Sequence, residues 1–373
     1  MKGTGQTPSG LGCGFGALGI CCQQCSLGPC RLNPFSQEPQ SSRCGLSADA
    51  LVLRNYLMRL TLGASSFACY GEKLVSKALN HQEENVVRVA RRALKDFSGC
   101  SREICHFLKS CLSSKQLTVL LKHKIAPCGI RESILEVLYE LSSIRAEDGG
   151  LEKSLMKGFT VCLAGLAVIN VIRILESLLS DSVALSQTSF CRDRKAGKRD
   201  TLLVKEIVDK VTVLIAEGNG KGLCFVLRCG PLASLRQLEE KLTEDGHLTV
   251  ALGCNGGNLP QVHYLGDCIQ APQIIDVLSS LSSEIDRGID TLPVAVIIPA
   301  KVNQETEMIA TAMAVLGLPV YVVRPLPITG SQRISEFLTE GMKRFLGGHF
   351  VFGGGEDVVG TMNKLFVKRT GLV

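Results

Sequence analysis

Tryptophan is absent from the 373 residues, and aromatic side chains make up only 5% of the chain. Base-stacking platforms for nucleic acid are therefore poorly supplied. The net charge of +6 is modest and spread out, with one basic cluster at Arg192–Arg199. No apolar run reaches the ~20 residues of a membrane span. Val161–Val171 is too short and lies within a longer helical pattern. No secretory signal opens the sequence, so a disulfide framework, which suits small secreted chains, is not expected. Cysteine, by contrast, is abundant at 17 residues. That usage points to a reducing cytoplasmic setting and to metal or redox chemistry. A hydrophobic content of 45% and the chain length allow two or three domains with real cores.

Six of the cysteines fall in one short stretch: Cys13, Cys21, Cys22, Cys25, Cys30 and Cys44. Cys22, Cys25 and Cys30 form a C-x2-C-x4-C run, and Cys44 is a distal fourth thiol. Consecutive short loops of this kind bring three sulfurs around one face of an iron–sulfur cubane. Gly28-Pro29 supplies the turn that bends the backbone around such a group. Zinc held by four thiolates is the alternative occupant. The density of thiols is too high for core packing alone.

The rest of the chain changes character at about residue 200. Ala48–Gly63, Glu72–Phe97, Ser101–Cys111, Glu132–Leu141 and Leu151–Leu179 carry apolar residues at helical spacing. Pro127-Cys128-Gly129 and Gly149-Gly150 interrupt them. Residues 181–200 are polar, basic and aperiodic and read as a linker. The basic run there is either a solvated face or a docking patch for an acidic, ferredoxin-like electron carrier. From Thr201 on, helices alternate with short apolar strands at Gly222–Arg228, His247–Gly253, Val294–Pro299 and Pro319–Arg324. Helices are expected at 201–215, 231–243, 271–286, 303–316 and 332–345. Such alternation indicates a parallel sheet covered on both faces. The expected architecture is α+α/β: a cluster-binding segment over 1–50, a helical domain over 51–190, and a Rossmann-like α/β domain over 191–373.

A second cysteine group follows from that reading. Cys229 and Cys254 each come directly after an expected strand, and Cys268 ends another β-like stretch, VHYLGDC. Ligands of open α/β sheets bind outside the carboxyl ends of the strands, so three thiols delivered there can converge on one metal site. Cys224 lies inside a strand and reads as a core thiol. Cys69, Cys100, Cys105, Cys111, Cys128, Cys162 and Cys191 are scattered, and the 100–111 group lacks one-face helical spacing. His263, five residues before Cys268, is either a structural residue or a further ligand. Gly353-Gly354-Gly355 is a weak phosphate-loop signal and reads better as a strand-to-helix turn.

The spacing Cys13-x7-Cys21-Cys22-x2-Cys25-x4-Cys30-x13-Cys44, with CCQQCSLGPCRL and RCGLSADALVLRNYL, resembles the amino-terminal cluster segment of nickel-type, anaerobic carbon monoxide dehydrogenases. RCGPLASL, ALGCNGGN, LPQVHYLGDC, LPVAVIIPA and PLPITGS are similar to the carboxyl-terminal Rossmann-like domain of that family, in the same order. The resemblance implies that Cys22, Cys25, Cys30 and Cys44 hold an internal [4Fe–4S] cluster. It implies that Cys13 and Cys21 supply half of a second cluster bridging a homodimer. Cys229, Cys254 and Cys268 match three cysteines of the family's active-site nickel–iron–sulfur cluster.

The departures bear on function. The family's middle Rossmann-like domain, which supplies one histidine and two cysteines to the active-site cluster, has no counterpart here. Its proton-relay histidines fall on Phe67 and Tyr70, the histidine before the last cluster cysteine on Tyr264, and the catalytic lysine on Glu305. Phenylalanine carries no proton, and tyrosine titrates near 10, far from the working range of histidine. Neither nickel nor CO oxidation by the family's mechanism is expected. The first reading is therefore a shortened reductase, or another oxidoreductase. Electrons would be relayed through the two amino-terminal clusters to a third, at Cys229, Cys254 and Cys268, whose open iron takes a small-molecule substrate larger than CO. The second is a non-catalytic electron-transfer or assembly protein carrying only the amino-terminal clusters. Neither reading involves nucleic acid or a membrane span.

Overall fold

The structure is a computed structural model. It describes the chain except residues 1–12, 34, 37, 39, 99–110, 124–128, 145–149, 181–199, 219–220, 229–231, 254–258, 260, 299–302, 324–325, 354–356 and 371–373. Cys100, Cys105, Cys128, Cys191, Cys229 and Cys254, most of the expected linker and its basic run, and Gly354-Gly355 lie outside the described residues. The expected helix at 101–111 does too, apart from Cys111.

A short helix, α1 (Gly14–Leu18), precedes two very short strands, β1 (Cys21–Cys22) and β2 (Cys30–Arg31). Helices α2 (Ala48–Leu79), α3 (Glu84–Ser98), α4 (Ser114–Lys122), α5 (Ile130–Ser143) and α6 (Leu151–Ser180) follow. Ser47 caps α2, its side chain accepting from the Ala50 amide. The long helix ends where the sequence turns polar at Asn80-His81-Gln82-Glu83. The helical spacing read through Glu72–Phe97 is therefore split between α2 and α3, because no apolar side chain anchors that stretch to the bundle. By length and composition α6 could cross a membrane, but it is mostly buried within the protein as the central helix. Helices α2, α3 and α5 pack around it. Buried on nearly every side, it shows no polar stripe of the kind that marks a surface helix.

The carboxyl-terminal half contains α7 (Asp200–Ala216), β3 (Leu223–Leu227), α8 (Leu232–Glu244), β4 (Leu248–Leu252), β5 (His263–Gly266), α9 (Pro272–Ile285), β6 (Val294–Ile298), α10 (Gln304–Val315) and β7 (Pro319–Val322). It ends with α11 (Gln332–Glu336), a π-turn at Phe337–Gly341, α12 (Met342–Leu346), β8 (His349–Phe352) and α13 (Val358–Thr370). The expected helix over 332–345 is thus interrupted by the π-turn. There Phe337 stacks on Phe159 of α6 at 6.4 Å. The six strands run in the order β5-β4-β3-β6-β7-β8, all parallel. This is the order of a doubly wound dinucleotide-binding sheet, reversing between β3 and β6.

Burial explains the continuous apolar strands. Every residue of β3, β6 and β7 is buried, whereas the edge strands β5 and β8 are only partly so. Alternate residues point to opposite faces. On one face Cys224, Val226, Ala295 and Ile297 meet Leu238 and Leu242 of α8 and Met362 and Phe366 of α13. On the other, Leu223, Phe225, Val294 and Val296 join a core that continues into α2 and α6. Helix α10 is the bridge, packed on both long helices. At this contact a Cβ on Gly63 of α2 would lie 2.3 Å from the Gln304 carbonyl. Arg59 of α2 makes a bidentate pair with the buried Glu307, and the Tyr56 hydroxyl lies 2.9 Å from that of Thr311.

Candidate metal centre

The amino-terminal cysteines sit on a two-stranded antiparallel ribbon in which Cys22 faces Cys30 and Cys21 faces Arg31. Directly opposed residues share a face, and successive residues alternate. Cys22 and Cys30 therefore project to one side of the ribbon and Cys21 to the other. Cys25 occupies the connecting turn, closed by the Gly28 amide donating to the Cys25 carbonyl. The returning chain passes close to Cys30 before it reaches the fourth cysteine. The Arg43 amide donates to Cys30 Sγ at 3.5 Å, and the Ser42 hydroxyl lies 3.2 Å from Cys44 Sγ.

Burial and electrostatics separate the six further. Cys22 and Cys30 are buried, Cys21 is half-buried, and Cys13, Cys25 and Cys44 are exposed. Amide donation from Gly16 and Phe15, with help from the Arg31 guanidinium, holds the Cys13 thiol below its ordinary value. Arg31 lies opposite Cys21, so Cys13 and Cys21 share one cationic side. The Ser42 hydroxyl does most to lower the Cys44 thiol, assisted by the Leu46 amide and the Arg54 charge.

Among the described residues, no three Cys, His, Asp or Glu side chains close around a single ion. A cubane presents four irons at separate corners, one per thiolate. A ribbon pair, a turn and a returning loop fit that demand, and the Arg43 amide already donates to one of the sulfurs.

The cluster segment is held by both halves of the chain. Asn55 of α2 donates from Nδ2 to the carbonyls of Gly19 (2.8 Å) and Cys21 (2.9 Å). The Gly330 amide donates to the Leu18 carbonyl. Gly19, at φ +78°, packs so closely that a Cβ would lie 2.0 Å from the Pro327 oxygen. Ser331 donates to Asp49 Oδ1 at 2.6 Å, joining the loop after β7 to the start of α2.

The second constellation lies at the carboxyl edge of the sheet. Strands β5, β4 and β3 are consecutive neighbours, and strands in a sheet lie about 4.8 Å apart. Of the three cysteines that follow them, only Cys268 is among the described residues. It is buried and opens a 3₁₀ turn capped by the Asp267 carboxylate on the Ile269 amide. The residues leading to Cys229 and Cys254 are fixed. Arg228, 2% exposed, is paired through two 2.7 Å bonds with Glu239 of α8 and lies over the Tyr264 ring at 5.6 Å. The Arg228 amide donates to the Leu252 carbonyl, the Gly253 amide to Gly266, and the Tyr264 hydroxyl to the Gly253 carbonyl at 2.6 Å. Sequence reasoning named the thiols but missed this Arg228–Glu239–Tyr264 brace. Its one sequence signal, a charged residue at each of two core-facing positions, is visible only once the sheet is known.

Other expected positions have different surroundings. His263 meets Lys210 Nζ at 3.1 Å, and Lys210 in turn bonds Glu206 of α7. Phe67 is fully buried in α2, while the Tyr70 hydroxyl donates to the buried Glu176 of α6 at 2.5 Å. Glu305 falls in the first turn of α10. Cys224 and Cys162 are core thiols, with burial pushing both well up from their ordinary values. Cys111 is buried and Cys69 exposed.

Comparison with known proteins places this arrangement. Carbon monoxide dehydrogenase 2 of Carboxydothermus hydrogenoformans is 28% identical over 186 residues, covering 42% of this chain and 29% of that protein. Carbon monoxide dehydrogenase 1 of Methanosarcina mazei is 41% identical over 63 residues, 17% of this chain and 10% of that protein. The matched stretches thus span less than a third of these relatives' length. Among solved structures, carbon monoxide dehydrogenase IV of Carboxydothermus hydrogenoformans superposes with a TM-score of 0.76 at 15% identity, over 97% of this chain and 94% of that one. The alpha subunits of an acetyl-CoA synthase/carbon monoxide dehydrogenase give 0.77 at 15% identity, over 97% and 89%. At this identity they share the fold. A sequence model of the Prismane/CO dehydrogenase family matches residues 20–85 and 191–355, which include the ribbon from β1 on and most of the sheet. With well over half of its length in that match, the chain belongs to the Prismane/CO dehydrogenase family.

Proposed function

We propose that this chain is a cytoplasmic iron–sulfur oxidoreductase of the reductase type that does not oxidise CO. Cys22, Cys25, Cys30 and Cys44 would hold an internal [4Fe–4S] cluster. Cys13 and Cys21, with their copies in a second chain, would hold a cluster that bridges a homodimer. Cys229, Cys254 and Cys268 would hold a third. When bound, such clusters supply one-electron storage and relay, and three protein thiolates leave one iron of a cubane open to substrate. The observation that carries this reading is the two-sided ribbon. Adjacent Cys21 and Cys22 face opposite ways, so one short segment can serve two separate groups.

The chain's own residues supply position and insulation. Asn55 holds the ribbon at a fixed height on α2. Glu239 neutralises Arg228 beneath the sheet edge, and Tyr264 holds the Gly253 turn. At the two positions where the relay histidines of the family fall, Phe67 is apolar and the Tyr70 proton is engaged by Glu176, so neither relays protons as histidine would. That argues against CO chemistry and leaves a small-molecule substrate and an external ferredoxin-like donor as partners.

Serine replacements test the assignment through iron content. Cys13→Ser with Cys21→Ser should remove about two irons per chain and weaken the dimer, whereas Cys22→Ser should remove about four. Cys268→Ser should also remove about four. Full iron in the double variant would sink the bridging role. Full iron in Cys268→Ser would favour the alternative, an electron-transfer or assembly protein with only the amino-terminal clusters.

A further inference from the structure

The chain between β2 and α2 closes into a small loop around Ser42. The Ser42 amide donates to the Leu46 carbonyl at 2.8 Å, and the Gly45 amide donates to the Ser42 carbonyl at 2.9 Å. The Ser42 hydroxyl oxygen accepts from the Leu46 amide at 3.0 Å and lies 3.2 Å from Cys44 Sγ. Ser42 is only 5% exposed, whereas Cys44 faces solvent. Among the described residues, Ser42 is the one side chain hydrogen-bonded to any of the six amino-terminal sulfurs. The other donor to a sulfur, the Arg43 amide at Cys30 Sγ, belongs to the backbone. A hydroxyl has one proton to give and two acceptor positions. With the Leu46 amide on one acceptor position, the proton remains for Cys44 Sγ.

We infer that Ser42 is the internal cluster's side-chain hydrogen-bond donor, its O–H directed at the Cys44 thiolate, and that this bond raises the cluster's reduction potential. The inference rests on the internal-cluster reading above. A thiolate bound to iron has no proton of its own, so the bond runs only from oxygen to sulfur. Reduction adds one electron, supplied by the ferredoxin-like donor, and the Ser42 proton stays on its oxygen. The added electron makes the thiolates more negative, so a charge-assisted bond to one of them strengthens and favours the reduced state. Hydrogen bonds to sulfur are among the protein's levers on such a potential. Burial of Ser42 keeps water from replacing the hydroxyl. Ser42 is thus a positioning residue that acts through Cys44.

The test is a dye-mediated titration of the anaerobically purified full chain with dithionite, followed by electron paramagnetic resonance. The signal to follow is the one abolished by Cys22→Ser. Ser42→Ala should keep iron and sulfide at the wild-type level. Its one-electron equilibrium constant for reduction should fall about tenfold, about 59 mV to the negative side. Ser42→Thr keeps the hydroxyl and should titrate as wild type. Ser42→Ala with full iron and an unshifted potential would overturn the inference, as would a threonine variant shifted as far as the alanine one. If the alanine variant loses its cluster, electron–nuclear double resonance of the reduced, unmutated chain decides. Two protons coupled to the cluster, from the Ser42 hydroxyl and the Arg43 amide, should exchange in heavy water. One such proton or none would overturn the assignment. Failure of the underlying reading would look different, because the unmutated chain would then give no reducible signal that depends on Cys22.

Discussion

His247 and His349 are the clearest residues at which burial becomes a measurable property. Desolvation, reinforced by Lys221 at His247 and by Lys343 and Arg369 at His349, holds both imidazoles down to about 4. In the unfolded chain they take up protons near 6.5. Between these values the unfolded state binds more protons than the folded one, so stability rises with pH there and is lost on acidification from about 6.5 towards 4. Each site contributes up to about 3 kcal/mol across that window. Urea unfolding at a series of pH values should show the slope, and His247→Gln should flatten it. An equally steep profile in that variant would remove His247 from the account. Arg228 and Glu239 illustrate the opposite use of burial. Removing one partner of a buried pair leaves a charge stranded and costs ~3–5 kcal/mol, so the brace beneath the second cysteine group fails as a unit. The amino-terminal thiols stand out in the sequence residue by residue because of their spacing. Asn55 and Glu239 do not, because each matters only through a contact made across the fold.

Among the elements, the ribbon is the weakest in its own right, with only two residues per strand. Two-stranded ribbons are marginal in isolation, so its geometry depends on docking against α2 and the loop after β7. Gly19 tests this. At φ +78° and with the Pro327 oxygen where a Cβ would go, Gly19→Ala meets backbone strain and a clash together. Gly45 has a similar φ, +83°, but open space around it, so Gly45→Ala carries the strain alone, ~1–2 kcal/mol. Gly19→Ala should lose iron from the amino-terminal segment while far-ultraviolet circular dichroism stays unchanged, and Gly45→Ala should keep its iron. Equal iron retention in both would show that the ribbon does not need the docking contact. The sheet was more legible than the bundle. Central parallel strands are buried on both faces and read as unbroken apolar runs, as at Val294–Ile298. Edge strand β8 is shorter and half-exposed and was visible only through the turn at Gly353–Gly355. The break between α2 and α3 was missed because helical spacing resumes beyond it in nearly the same phase.

At the scale of the molecule, one continuous core joins bundle and sheet, with α10 locked to α2 by Arg59–Glu307 and by the close approach at Gly63. The amino-terminal ribbon and the carboxyl edge of the sheet are therefore parts of one packed frame, as the proposed electron relay between fixed sites requires. Resemblance in sequence reached both cysteine groups. It could not show that the sheet orders β5, β4 and β3 side by side, because strand order follows from crossovers and not from local pattern. Metal content per chain on anaerobically purified protein of known oligomeric mass tests the whole account most directly. A dimer with about ten irons per chain and no nickel is the predicted result, four from the internal cluster, four from the third and two from the shared one. About six irons would leave the sheet edge without a cluster, and nickel near one per chain would restore CO chemistry; either would contradict the account.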